Sequence, residues 1–408
     1  MLAIAIRGQA MEIGYSASSD VRASIDRIGR TEDVQFSPDG SCLAVAGFIE
    51  NRILVLRVET DWETDPPKVT FTGSLEVDSD GLRNPHGLCW LDDRTLAIAN
   101  RSGHLTIFEL PQEPASGRVQ LSPVRTLGDH ATDLLKTPGS VSAVPVGLDL
   151  FELIVCNNYV HHISRHLVDR RDDYALIASD VLTHDGLAVP DGVTHSPSGR
   201  WIAVSNHGHH NVLIFRNDAD LSPASQPVAV LNGIQYPHGV RFAADGKTIF
   251  VADAGAPFVH VYRGGEEWAG DHQPAVSVRV LSEESYLRGR TDPSQGGPKG
   301  VDITADERLM VISCDEERFA FFDVRELLAR SEPADPVVAS EAESAREAFL
   351  RYMASDRRRV EEATAAIRRA TDLQILGMVE SRSWRITAPL RSAKAAIRRT
   401  APHLWSKY

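Results

Sequence analysis

The sequence lacks any apolar run near the roughly 18 to 20 residues that a membrane helix needs, which excludes a helical span. Its opening, "MLAIAI", has no basic n-region or cleavage site and is too short for a signal-peptide core. A cytoplasmic location is therefore expected. Cysteine is scarce: Cys42, Cys89, Cys156 and Cys314 lie in or beside apolar runs with no C-x-x-C spacing. Buried free thiols are the expected state. Acidic residues are missing from Ser381 to Tyr408, where seven basic residues stand, so residues 1–380 carry a formal charge of −20 against −13 for the whole chain. An acidic body of that size argues against a nucleic-acid partner, whose phosphates it would repel. The basic tail points to a separate role.

What the chain of 408 residues does have is a repeat. Five copies read "TEDVQFSPDGSCLAVAG" from Thr31, "PHGLCWLDDRTLAIAN" from Pro85, "PDGVTHSPSGRWIAVSN" from Pro190, "PHGVRFAADGKTIFVAD" from Pro237 and "PKGVDITADERLMVISC" from Pro298. A weaker sixth, "PGSVSAVPVGLDLFELIVCN", starts at Pro138. The second position is Glu32, His86, Gly139, Asp191, His238 and Lys299 in turn, at steps of 54, 53, 52, 47 and 61 residues. Each copy is a short strand, a tight turn often built on Asp-Gly, a second strand, a polar loop, a third strand and a more variable fourth. Six such units predict an all-β, six-bladed β-propeller. The sixth copy runs out near Val324, so a strand at about Val21–Ile28 is expected to close it beside Arg318–Val324. The predicted organisation is a propeller over 1–330, a Pro-containing linker over 331–339 and a helical, basic, amphipathic tail over 340–408.

In a propeller the first strand of each unit lines the channel. One face should then gather Glu32, His86, Asp191, His238 and Lys299, ringed by the second-strand ends Asn100, Asn157, Asn206 and Asp253. The adjoining loops add Arg101, His104, His161, His162, His207, His209 and His210. Eight of the 15 histidines fall on this face, which marks it as the candidate site. Structural readings stand beside the functional one. Proline stiffens the start of the strand and glycine permits close packing. The strand-end Asn and Asp residues suit loop capping.

The copies "P-x-G-[VL]" and "[IL]-x-V-[AS]-[DN]" resemble the six-bladed propellers of the NHL-repeat and gluconolactonase-like superfamily over roughly residues 20–325. Its metal-dependent lactonases hold a divalent cation at the channel mouth with a first-blade Glu and later Asn or Asp. Glu32 and Asp191 fall at similar positions, whereas Gly139 and His238 depart from that pattern. The propeller of peptidylglycine amidating lyase is similar in using repeat histidines for zinc, which His86 and His238 match. The tail segment "ESRSWRITAPLR" at Glu380–Arg391 resembles one near the ends of bacterial glycosyltransferases and methyltransferases of surface-polysaccharide assembly.

The resemblance implies a divalent cation of the zinc or calcium class on His86, His238, Asp191 and Glu32. It implies lactonase-like hydrolysis or elimination on a sugar-like ligand, and Glu32, Asp191, His207 and Lys299 are the residues expected in catalytic roles. Arg101, Asn100, Asn157, Asn206, His209 and Asp253 are the expected ligand-binding residues. The tail implies a setting in bacterial surface-glycan synthesis, peripheral at the inner face of the membrane and beside glycan-assembly enzymes. A non-catalytic scaffold for those enzymes is the alternative. Between Ser340 and Ala370, Met353, Val360 and Ile367 recur every seven residues beside Leu350 and Ala363, as in a short amphipathic helix.

Overall fold

In the computed structural model each copy of the repeat opens an inner strand: Thr31–Phe36, Pro85–Asp92, Pro138–Pro145, Pro190–His195, Pro237–Phe242 and Gly300–Ile303. The structure describes residues 5–7, 10–112, 116–128, 134–183 and 186–329. The linker and tail expected over 331–408 lie outside them. The six inner strands touch one another in cyclic order, the last against the first, and each starts its own antiparallel sheet. The chain is a six-bladed β-propeller. The blades are numbered 1–6 from Thr31.

The alternating strands bury one face toward each neighbouring blade, so the core is divided into six apolar wedges. One wedge holds Leu88, Ile98 and Phe108 of blade 2 against Ile53 and Val77 of blade 1. Another holds Phe321 and Val311 of blade 6 against Val34, Leu43 and Phe71 of blade 1. Each buried Val, Leu or Phe side chain contributes on the order of 1.5–3 kcal/mol, so the wedges rather than any single contact close the ring.

Segments from elsewhere lengthen three blades at the rim. Gly117–Gln120 runs parallel to the outer strand of blade 1, and Gly270–His272 does the same on blade 4. The N-terminal segment crosses three blades in succession. Ala5–Arg7 pairs in parallel with Val276–Val278 of blade 5, Ile13 bridges Phe321 of blade 6, and Tyr15–Ala17 pairs with Val69–Phe71 of blade 1.

The seam differs from expectation. The strand expected at Val21–Ile28 is a helix, Ser19–Arg27, capped by the Ser18 hydroxyl, which accepts from Val21 N. Val21, Ile25 and Ile28 are buried, a spacing of four and three residues that follows the helical period rather than the alternation of a strand. Gly29, at φ +68°, ends it in the left-handed conformation that glycine tolerates. The partner of the last blade is instead Ile13, whose N–H donates to Phe321 O at 2.8 Å.

An inner strand is the edge of its sheet, so its outward N–H groups need partners. Side chains of the preceding blade supply them low in the channel. Asp33 accepts from Leu88 N at 3.1 Å, Gln35 from Trp90 N at 2.9 Å, Ser142 from His195 N at 3.1 Å and Asp302 from Phe36 N at 2.7 Å. Between Asp33 and Asp302 lies Arg241, whose Nε donates to Asp302 Oδ1 at 3.0 Å while Nη2 stands 3.8 Å from Asp33 Oδ2. Apart from the half-buried Gln35, this lower belt is buried.

Candidate functional site

The P-x-G stretch explains how the upper ring is aimed. Register shifts separate Pro85 from Gly87, Pro190 from Val193 and Pro237 from Val240, and a like shift follows Thr31 in blade 1. Such a bulge turns a side chain out of the pleat, here toward the channel axis. The glycine is required by the next blade: a Cβ on Gly192 would stand 2.0 Å from His238 O, and one on Gly239 2.5 Å from Lys299 O. Proline and glycine are thus structural, and the residue between them is free to carry chemistry.

Four side chains converge at the centre. His86 Nδ1 lies 2.7 Å from Gly139 O, and His238 Nδ1 lies 3.1 Å from Lys299 O. Each Nδ1–H donates to its carbonyl, which aims Nε2 inward. Both Nε2 atoms stand 3.6 Å from Glu32 Oε2, and His238 Nε2 is 3.3 Å from Asp191 Oδ2. The imidazole rings stack at 5.3 Å between centroids. His86, held down to about 3 by burial and then by the Arg101 charge, is neutral at physiological pH. Burial opposes ionisation of Glu32, but Lys299, His86, His238 and Arg30 outweigh it and hold the carboxyl down at about 2. Asp191 is likewise pulled well below the ordinary carboxylate range, burial being outweighed by His238, His86, Arg101 and His207.

The donor set fits a divalent cation. One ligand atom each from Glu32, His86 and His238 lie within 4.8 Å of one another, against about 3.4 Å for a closed tetrahedral set with bonds near 2.0–2.1 Å. Two imidazole nitrogens favour the zinc class over calcium, which takes oxygen ligands. The cations already present balance the carboxylates. Lys299 Nζ lies 3.3 Å from Glu32 and 3.2 Å from Asp315, Arg30 Nε lies 2.5 Å from Glu32, and Arg101 Nη2 donates to His86 Nε2 at 2.5 Å.

Above the ring opens a cavity of about 310 Å³, with Arg30, Arg101 and Lys299 in its lining and the rings of Phe48 and Tyr159 at its sides. His207 also lines it, its Nδ1 3.8 Å from Asp191 Oδ2 and within donating distance, 3.2 Å, of Pro237 O. Burial lowers the His207 pKa against the pull of Asp191, which leaves a neutral imidazole able to accept a proton. Below the ring the channel narrows to a cavity of about 10 Å³ between the ring and Arg241, room for one water at most.

The structure sorts the expected ligand-binding residues. Arg101 lines the cavity; Asn100, Asn157, Asn206 and Asp253 do not, being buried and bonded to the loop that precedes each inner strand. Asn100 Oδ1 accepts from Arg83 N, Asn157 Oδ1 from Lys136 N, Asn206 Oδ1 from Ala188 N, and Asp253 from Gln235 N and Tyr236 N. In this structure these four side chains anchor loops, each accepting from backbone N–H groups. His209 is exposed and lies outside the cavity lining. Of the eight histidines on this face, His86, His207 and His238 line the cavity, whereas His104, His161, His162 and His210 bond loop backbone.

One ring member escaped the sequence reading. Blade 3 has Gly139 where the others place a side chain, and Asn158 takes that space from the following loop. A Cβ on Gly139 would sit 1.9 Å from Asn158 Oδ1, and Asn158 Nδ2 donates to Asp191 Oδ1 at 2.6 Å. The doubled asparagine of "CNN", paired with a glycine at the ring position, was the available signal. Val189, also in the lining, has φ +51°, unusual for a β-branched residue, and its N–H donates to His161 Nδ1 at 2.9 Å.

No family model matches the sequence, and no curated protein matches it. Solved structures with a similar fold include a chain in the crystal structure of the mitotic checkpoint complex, at 12% identity over 78% of this chain and 94% of that chain, TM-score 0.46. Another is a functionally unknown protein from Desulfotomaculum acetoxidans DSM 771, at 15% identity over 72% of this chain and 83% of that chain, TM-score 0.46. Neither likeness bears on function.

Proposed function

We propose that the propeller holds a divalent cation, zinc class first, at its channel mouth and binds a small sugar-like ligand with an anionic group in the cavity above. The observation that carries this reading is the inward aim of His86 Nε2 and His238 Nε2 onto Glu32, each imidazole fixed by a backbone carbonyl. His86, His238 and Glu32, with Asp191, would hold the cation. When bound, it would polarise a ligand carbonyl or lower the pKa of water, as lactone, ester or glycan cleavage requires. Arg30, Arg101 and Lys299 draw the anionic group, Phe48 and Tyr159 flank it, and His207 accepts a proton at its free nitrogen. Elemental analysis of protein purified without a histidine tag tests the reading. One equivalent of metal, lost in His86→Ala and in His238→Ala with the fold retained, is the expected result; no stoichiometric metal and no uptake on titration overturns it.

The tail extends the proposal to a setting in bacterial surface-glycan synthesis at the inner face of the membrane. Support comes from the "SWRITAPLR" wording and from a basic stretch interleaved with Trp384, Ile386, Leu390 and Ile397. Removing residues 340–408 should abolish binding to anionic vesicles; equal binding without them refutes the membrane role.

A scaffold remains the second reading, favoured by one observation. Four of the nine exposed large hydrophobic residues among those described, Val146, Leu148, Leu176 and Ile177, belong to the end of blade 3 opposite the cavity. Such concentration suits a protein partner. Co-purification of a glycan-assembly enzyme that is lost when Leu148 and Ile177 become Asp would support it.

A further inference from the structure

The three cations at the mouth are not equivalent. Lys299 belongs to the ring itself, is buried and sits between the carboxylates of Glu32 and Asp315. Arg30 is shared between the same two carboxylates. Arg101 instead stands on a turn, Arg101–Gly103, after the second strand of blade 2. Its main partner is a neutral nitrogen, His86 Nε2, with the nearest oxygen of Asp191 at 3.7 Å. Its Nη1 is buried and has no hydrogen-bond partner among the described residues. The Tyr159 ring, 63% exposed, lies 5.4 Å from its guanidinium carbon. A guanidinium held by an imidazole and a distant carboxylate is bound more weakly than one forked onto a carboxylate, and an aromatic face offers it a second resting place.

Position adds the second half of the argument. The nitrogen that Arg101 covers is the one that points at Glu32 Oε2 and that any cation in the ring must use. We propose that Arg101 is a resident counter-cation, holding the ring closed by donating to His86 Nε2 and giving way when a divalent cation is taken up. Freed from His86, it turns along the Tyr159 face into the cavity, where it receives the ligand's anionic group. Charge favours the coupling. Glu32, Asp191 and Asp315 balance Arg30, Arg101 and Lys299, so a divalent ion leaves the mouth with an excess of two positive charges that an anion offsets. The inference rests on the metal reading above and goes beyond it by ordering the events: metal first, anion second.

Zinc affinity, measured by competition with a fluorescent chelator, tests it on full-length wild type, Arg101→Met and Arg101→Gln. The titration is run at low salt and in 0.5 M sodium chloride, which screens exposed charges farther from the ring than Arg101. Loss of one charge-assisted hydrogen bond to His86 should tighten zinc binding in Arg101→Met by about tenfold or more. The gain should persist in high salt, with Arg101→Gln between the two because it keeps a donor without the charge. Equal zinc affinity for wild type and Arg101→Met in high salt overturns the counter-cation role and leaves the metal site standing. No zinc binding by any of the three removes the metal reading and this inference with it. Unchanged urea unfolding of Arg101→Met confirms that a changed affinity is not a folding defect.

Discussion

The channel carries two ionic clusters on the same inner strands. In the upper ring, imidazoles donate to carbonyls of the next blade and aim their other nitrogens at carboxylates. In the lower belt, carboxylates accept N–H groups of the next blade and Arg241 lies between them. Both stitch one blade to its neighbour, with opposite polarity. The lower belt pairs its carboxylates with backbone N–H groups and Arg241, whereas the upper ring gathers two imidazoles and two carboxylates, braced by Arg101, Lys299 and Asn158, beneath an open cavity. A buried polar cluster of the first kind specifies the fold; one of the second kind is the arrangement on which the proposed metal site rests.

The sharpest way to break this comparison is to remove one cation from each cluster. Arg241→Met leaves Asp33 and Asp302 buried without their partner and should cost about 3–5 kcal/mol in urea unfolding. Arg101→Met, beside solvent, should cost under about 1 kcal/mol. Similar losses would mean that the two clusters are alike.

Acid should separate them next. Burial and the neighbouring Asp33 push Asp302 up to about 6 from 3.8, against the pull of Arg241 and backbone N–H groups. Its folded state therefore binds a proton more readily than the unfolded chain, and stability should rise as pH falls from about 6 toward 3.8. Glu32, held at about 2 from 4.5, acts with the opposite sign: its contribution is complete above 4.5 and is lost as pH falls toward 2. His86, held at about 3 from 6.5, opposes this gain over the same range. The Asp302 contribution is therefore read as the difference between wild type and Asp302→Asn in thermal melts across pH 3–8, which should grow in favour of wild type as pH falls below about 6. A difference that does not change with pH removes Asp302 as a titrating group.

Gly139→Ala tests the substitute ring member. Its Cβ meets Asn158 Oδ1, and the overpacking should cost about 1–3 kcal/mol. In an Asn158→Ala background the cost should fall by more than half, as residues in contact do not add. Independent effects would show that Asn158 moves aside freely.

A gain rather than a loss is expected at Val189. Asn84 holds the same place before its blade's proline, at φ +54°, with a residue that tolerates the left-handed region. Val189→Asn should stabilise the protein by about 1 kcal/mol, provided the His161 bond to its N–H persists.

The propeller was legible because the P-x-G and Asp-Gly signals recur with the blades, and bulge and turn geometry demand those residue types. His86, Asp191 and His238 were legible for the same reason, since the bulge aims what stands between proline and glycine, and Glu32 and Lys299 were legible through their alignment with them. The Val21–Ile28 segment was misread because a short amphipathic stretch satisfies both periods until its spacing of four and three is weighed. The strand-end Asn and Asp residues stand beside the ring on the same face, and only their backbone bonds reveal them as anchors. Asn158 was missed because it fills a ring position from another part of the chain, which repeat alignment cannot see.

The N-terminal segment that crosses blades 5, 6 and 1 has a consequence for biogenesis. Ile13 leaves the ribosome long before Phe321, the residue it bridges. At about 5–20 residues per second, the interval is on the order of 15–60 s. Blades can form in order as they emerge, but the ring stays an open arc throughout that wait, with the first blade's flank uncovered. During synthesis the seam is thus open to chaperone capture or to pairing with a neighbouring nascent chain, and it is sealed only when blade 6 arrives.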